Sequence, residues 1–346
     1  MKKQILIIFI LIFSMFIVSI LIYGFFITSV IPLNKDFNLE VKNGDTLSSV
    51  IKTLKKHGLM GNDFIIKIYT RIFFPDLVIK VGSYRVSKYT TYWSLMKDLN
   101  KGIGFLKKII IPPGLKLSEI ASLFESNNVM TEEDFYMVIR KDSFLAQWDF
   151  FKDKNLLNYW ENFKTQIPLE NRLEGFLYPE TYFVSENTKP KEILKISVDY
   201  FFSILSKIPL IDKLSIEEIY KKIIIASLIE EEAVVDSEKP IIASVIYNRL
   251  NKGMRLELCP TVEYILPEHK KKLTEDDLKV PSIYNTYLRK GLPPTPICNP
   301  SFNSLKAAFF PAKTDYLFYV AKGDGTHYFS RTFDEHLKYK SKSTYY

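Results

Sequence analysis

The residues best suited to acid–base chemistry in this chain of 346 residues form one run, Glu230-Glu231-Glu232, at the end of a segment with helical spacing. Ser215-Ile216-Glu217-Glu218 has the capping-box pattern, Ser at the cap and Glu three residues on, and opens a helix through Ile219, Tyr220, Ile223 and Ile229. At ~100° per residue, the stripe through Ile216, Ile219, Ile223 and Ser227 continues onto Glu230, while Glu231 falls at its edge and Glu232 points to the far side. The last turns are apolar nearly all round, so the helix should be buried between other elements. Glu230 is therefore the carboxylate expected to meet apolar surroundings. Desolvation disfavours the charged form of a carboxyl, which suits a general acid working near neutral pH. The plainer reading of the triplet is a solvated helix end.

Other catalytic patterns are absent from the sequence. There is no HExxH, no Walker loop and no GxSxG elbow, and Gly102-Ile103-Gly104 and Gly323-Asp324-Gly325 lack the rest of a phosphate-binding context. His57, His269, His327 and His336 are too dispersed for a metal cluster, so neither a metal nor a cofactor is expected. A second helix, capped by Asp236 or Ser237, should bury Ile241, Ile242, Val245, Ile246 and Leu250 and end before Gly253. Loops follow, with Arg255, Pro260-Thr261-Val262, Asn285, Tyr287 and Pro293-Pro294. Hydroxyls, amides and flat rings beside rigid Pro turns are a common way to hold a sugar, and the bland alternative is a structural loop. Leu173 to Tyr182 is too rich in Gly and Pro for a helix interior, so it should be a loop leading into a short strand, with Glu174 and Glu180 exposed for polar work. A hairpin, Tyr316 to Ala321 and His327 to Ser330, closes the chain, with His327 expected to pack on the sheet.

Upstream, Phe37 to Val41 alternates like a strand, Asn43-Gly44 supplies a turn, and Leu47 to Lys56 has helical spacing. The pattern recurs 70 positions later: Gly114 falls on Gly44, Leu117 on Leu47, Ile120 on Val50 and Phe124 on Leu54, a degenerate internal repeat. Between the copies lie a strand at Gly82 to Val86 and a helix over Thr91 to Asn100. This region is either a structural spacer or a carbohydrate-binding module. Before it, Lys2 and Lys3 precede an uncharged apolar stretch from Ile5 to Val30. At ~1.5 Å per residue it covers a ~30 Å hydrocarbon core and reads as one spanning helix. A cleaved signal peptide would be shorter and end in a small-x-small site. The lysines place the N-terminus in the cytoplasm and everything from about Asn34 outside the membrane. The net charge of +8 is spread along the chain without a block of like charges, which argues against a nucleic-acid groove. Two cysteines exclude a disulfide-built scaffold.

Several motifs carry a family resemblance: Ala226 to Glu232, Tyr247-Asn248-Arg249-Leu250, Pro260-Thr261-Val262, Tyr284-Asn285-Thr286-Tyr287, Gly291-Leu292-Pro293-Pro294, Asn299-Pro300 and Pro311 to Leu317. In this order they resemble the MltG (YceG-like) endolytic murein transglycosylases, and Leu173 to Tyr182 matches a further block. The resemblance implies an α+β protein. It would comprise a cytoplasmic tail (1–4), a transmembrane helix (5–30), a LysM-like repeat-containing subdomain (37–135) and a YceG-like catalytic domain (136–340). It implies a single-pass cell-membrane enzyme that cuts nascent peptidoglycan strands from the extracytoplasmic side, with membrane lipid and peptidoglycan synthases as further partners and no nucleic acid. The family's catalytic glutamate falls on Glu230, and Arg255, Asn285, Tyr287 and Glu174 are candidates for gripping the strand. A hydrolytic muramidase using Glu230 with Glu174 or Glu180, and a non-catalytic glycan-binding scaffold, are the rival functions. Glu257 and Cys259 stand where the family usually has Gln and Asp, Ala233 where Thr often follows, and Cys298 replaces a small residue. Cys259 and Cys298 either pair in an oxidising compartment or stay free.

Overall fold

The structure, a computed structural model, describes residues 9, 12–19, 36–59, 63–87, 89–102, 106–163, 167–185, 188–268, 270 and 272–343. Of the apolar stretch 5–30 it describes residue 9 and residues 12–19, which are helical, and the rest of that expected span lies outside the described residues. Among the described residues no helix is long and apolar enough to cross a membrane. The chain divides into two compact units, residues 1–108 with 183–188, and residues 109–182 with 189–346. Helices and small two-stranded sheets make it an α+β protein.

In the smaller unit, β1 (Phe37–Val41) pairs antiparallel with β2 (Gly82–Val86), with Leu39 opposite Tyr84. Between them lie α1 (Leu47–Lys56) and α2 (Asp63–Phe73), and α3 (Tyr92–Lys101) follows. Alternation turns Leu39 and Val41 of β1 inward, and α1 meets them with Val50, Ile51 and Leu54, spaced to fall on one helical face. Leu95, Met96 and Leu99 of α3 close this core from the other side.

The larger unit opens with the second copy of the repeat. β3 (Leu106–Ile110), of which only residues 109–110 belong to the larger unit, is followed by a turn and by α4 (Leu117–Ser126), and α1 and α4 are both ten residues long and start 70 positions apart. The turns match too: Gly44 has φ +88° and Gly114 φ +87°, a left-handed conformation that glycine adopts without a Cβ penalty. Ile120, Ala121 and Phe124 are buried as Val50, Ile51 and Leu54 are. The division of the units lies at 108/109, with residues 109–135 in the larger unit, whereas the sequence-based boundary falls at 135/136.

The helices α5 (Glu132–Ile139), α6 (Asp142–Leu145), α7 (Lys154–Glu161) and α8 (Pro190–Leu205) surround an aromatic core, with β4 (Thr181–Ser185) paired to β3. Phe176 is its centre, its ring 4.8 Å from that of Phe151 and 4.9 Å from that of Phe201. The loop Leu173 to Pro179 leads into β4 as its Gly and Pro content requires.

The helix α9 (Ile216–Glu232) begins at the expected cap. Ser215 Oγ accepts from the Glu218 amide at 3.3 Å, and Glu218 Oε2 accepts from the Ser215 amide at 2.8 Å. From Ile223 to Ile229 every residue of α9 is buried, because α7, α10 (Lys239–Asn251) and α12 (Phe302–Phe309) pack around it. A short helix α11 (Cys259–Glu263) lies between α10 and α12 in the chain. The terminal hairpin, β5 (Phe318–Ala321) and β6 (His327–Ser330), pairs Ala321 with His327 and is followed by α13 (Phe333–Lys340). Ser215→Ala should lower the stability of the larger unit by about 1 kcal/mol. The measurement is the urea midpoint followed by tryptophan fluorescence, and an unchanged midpoint would show that the cap does not hold this helix.

Candidate active site

Glu230 lies two residues before the end of α9, where the helix passes from the apolar interior to the loops, and its side chain is 10% exposed. The expected apolar surroundings are not what it meets. Oε2 accepts from the Ser301 amide at 2.9 Å and from Ser301 Oγ at 2.5 Å, and Oε1 lies 3.6 Å from Lys239 Nζ. Ser301 is the N-cap of α12, so the carboxyl sits at the positive end of that helix's dipole. Lys239 begins α10 and is almost wholly covered, and its ammonium is shared with Asp236 at 2.9 Å and Ser301 Oγ at 3.2 Å. Three elements thus converge on one carboxyl and fix both oxygens. Periodicity reports only the helix that carries Glu230, and the polar partners come from segments 9 and 71 positions away.

Desolvation acts on the other two acids of the triplet. Glu231 is reached by solvent, yet desolvation pushes its carboxyl up to about 7, eased by a hydrogen bond with Cys298 and raised further by the charge of Glu230. Its Oε1 would be 3.0 Å from a Cβ built on Gly114, so the turn of the second repeat copy lies directly against it. Glu232 is half-buried, and desolvation raises its carboxyl to about 7 as well.

Glu174, expected to be exposed, is 2% exposed. Its carboxyl accepts from the Leu117 amide at 3.1 Å, from Tyr264 Oη at 3.1 Å and from Asn299 Nδ2 at 3.4 Å. Burial raises it to about 8 in spite of the amide and phenol donors. Asn299 completes a clamp on the repeat turn: its amide and its Nδ2 both donate to the Leu115 carbonyl, and its carbonyl accepts from the Gly114 amide. Glu180 is exposed and accepts from the Thr181 amide at 2.8 Å.

The remaining candidates divide. Asn285 is fully buried; its Nδ2 donates to the Leu278 and Val280 carbonyls and its Oδ1 accepts from the Tyr287 amide, so it braces its own loop and is not open to a ligand. Tyr287 is half-buried, its hydroxyl 3.1 Å from Cys259 Sγ. Arg255 is exposed on a loop whose backbone bridges to Lys290. Cys259 and Cys298 are both free, and Cys298 Sγ donates to the Ser227 carbonyl. His327 packs in the terminal hairpin and pairs with Glu238 through Nδ1 at 2.8 Å. Lys239, Ser301 and Asn299 were not among the sequence candidates. Ser301 after Asn299-Pro300 carries a cap signal that could have pointed to a helix start, whereas nothing local marks Lys239 as buried.

Glu174 also links folding to pH. Its ordinary value of 4.5 rises to about 8 in the fold, so between these values the folded chain binds the extra proton and stability falls as pH rises, the whole cost being present above about 8. Glu174→Gln should therefore flatten the decline in thermal midpoint between pH ~5 and pH ~8.5. Midpoints of the two proteins that fall in parallel would remove Glu174 from the linkage.

The YceG-like family model matches residues 39–342. The endolytic murein transglycosylase of Bacillus subtilis (strain 168) is 30% identical over 317 residues, covering 90% of this chain and 87% of that protein. The protein of the same name from Streptococcus pneumoniae serotype 2 is 27% identical over 327 residues, which is 86% of this chain and 56% of that protein, so the chain spans little more than half of that relative. A crystal structure of a putative YceG-like protein from Listeria monocytogenes matches with a TM-score of 0.56 and 32% identity, covering 88% of this chain and 99% of that one. With the match running from β1 to the end of the described chain, this protein belongs to the YceG-like family.

Proposed function

We propose that this protein is an endolytic murein transglycosylase, a lyase that cleaves the bond between N-acetylmuramic acid and N-acetylglucosamine within peptidoglycan strands and leaves a 1,6-anhydro end. The observation that carries the reading is the Glu230 carboxyl, one-tenth exposed and oriented at both oxygens by Lys239 and Ser301. The curated relatives named for this activity support it.

In the proposed reaction, protonated Glu230 gives its proton to the glycosidic oxygen as the bond from that oxygen to the muramic C1 breaks. The resulting carboxylate takes the proton from the muramic C6 hydroxyl, whose oxygen closes on C1. The acid is restored and no water is consumed. Intramolecular attack supplies part of the rate, because the nucleophile is already held beside C1. Ser301 and Lys239 stabilise the carboxylate between the two steps, and the closer pairing of Lys239 with Asp236 than with Glu230 leaves its charge shared. A hydrolytic muramidase needs a second carboxylate across the scissile bond. Glu174 is enclosed by donors and Glu180 lies exposed on its loop, which favours the single-acid route.

The reading extends to the rest of the chain. An anchor over 5–30 would hold the protein in the cell membrane with its N-terminus in the cytoplasm, supported by the length of the apolar stretch and the lysines before it. The smaller unit would serve as a LysM-like glycan-binding module, supported by a cavity of about 320 Å³ lined by Thr46, Leu47, Phe74 and Leu77 among others. Peptidoglycan synthases would be its partners in ending strand growth.

Glu230→Gln should lower release of anhydro-ended fragments by roughly 10²–10⁴-fold while the protein stays folded. Mass spectrometry of murein digests decides: anhydro ends support the lyase, reducing ends the muramidase, and binding without cleavage the scaffold. Desolvation pushes the Glu231 carboxyl up to about 7 beside Glu230, so the rate should show an inflection across neutral pH that Glu231→Gln removes. Superimposable pH profiles would exclude Glu231 from the titration.

A further inference from the structure

The repeat has a second consequence in the larger unit. In the smaller unit, Thr46, Leu47 and Ser48 at the start of α1 line a cavity of about 390 Å³. Seventy positions on, Lys116, Leu117 and Ser118 at the start of α4 line a cavity of about 270 Å³. The same three positions of the repeat therefore wall a recess in each copy. The second recess is completed by Tyr136, Arg140, Glu174 and Tyr264, all of the larger unit.

Its lining has a definite chemistry. Lys116 Nζ lies 5.7 Å from the centre of the Tyr264 ring and donates to the Glu263 carbonyl, with no ion-pair partner among the described residues. Arg140 lies over Tyr136 at 5.0 Å and shares its charge with Glu170 at 2.9 Å. The Glu174 carboxyl is part of the same lining, and it accepts from the Leu117 amide, the Tyr264 phenol and the Asn299 side-chain amide. That carboxyl is 2% exposed and is held within the wall by these partners. Two phenol rings beside two cations, of which Lys116 makes no ion pair among the described residues, suit a sugar ring that carries both an acetamido carbonyl and a carboxylate.

The recess is also close to the cleavage site along two paths. Gly114, two residues before Lys116, lies against Glu231, and Asn299, which contacts Glu174, is two residues before the Ser301 that holds Glu230. Two residues span at most about 7 Å. We propose that this recess is a subsite for an N-acetylated, carboxylate-bearing sugar of the glycan strand, near the bond that Glu230 cleaves. The second repeat copy then belongs to the strand grip of the catalytic unit. This rests on the transglycosylase reading above.

The test uses the full chain carrying Glu230→Gln, so that binding is read without cleavage. Two probes are compared, peptide-free murein glycan strands and chito-oligosaccharides, which have the acetamido groups but no carboxylate. Ser118→Trp, at an exposed position that removes no hydrogen bond, should weaken binding of both probes at least ~10-fold by filling the recess. Lys116→Ala should weaken binding of the murein strands to a similar degree and leave the chito-oligosaccharides within ~2-fold. If both variants bind both probes as their parent does, the subsite is refuted while the assignment of Glu230 stands. Anhydro-ended products released by the Glu230→Gln parent itself would overturn the transglycosylase reading instead.

Discussion

The carboxyl of Glu230 is held where the last turn of α9, the buried first residue of α10 and the cap of α12 meet. Ser301 does two things at once, closing the first turn of α12 through Oγ and turning its amide and hydroxyl on Glu230. Lys239, covered on nearly all sides, would be costly to bury without counter-charges, and Glu230 and Asp236 supply them. The packing of α9 against α10 and α12 is therefore fixed by polar constraints as well as by the apolar residues of Ile223 to Ile229. A carboxyl oriented in this way needs little reorganisation as charge develops on it, which is the usual physical basis of an efficient acid.

The repeat shows how one local pattern serves two settings. In both copies a strand, a left-handed glycine and a ten-residue helix produce the same turn. In the first copy the helix buries its face against the smaller unit's core. In the second, Asn299 and Glu174 seize the turn by its backbone, and Gly114 comes so near Glu231 that a side chain there would crowd the carboxyl. In the larger unit this turn forms part of the wall beside Glu231.

Much of the local architecture was legible. The bounds of α1, the capping box of α9, the strand after the Gly- and Pro-rich loop and the terminal hairpin follow from spacing and turn chemistry. Helical phase, a local property, and the family motifs point to the same residue of the triplet, Glu230. The surroundings of that residue were read wrongly as apolar, and Glu174 and Asn285 were read as available when both are buried and fully engaged within the protein.

The sequence by itself determined which helix bears the acid, how that helix begins and which face it buries, because these depend on residues within a few positions of one another. Only the tertiary structure decided what the acid touches. Lys239 and Ser301 meet Glu230, and Asn299 reaches back to Leu115, through contacts spanning 9, 71 and 184 positions. Contacts of that span are set by the packing of whole elements, and no periodicity in the chain encodes which polar group a folded neighbour will present.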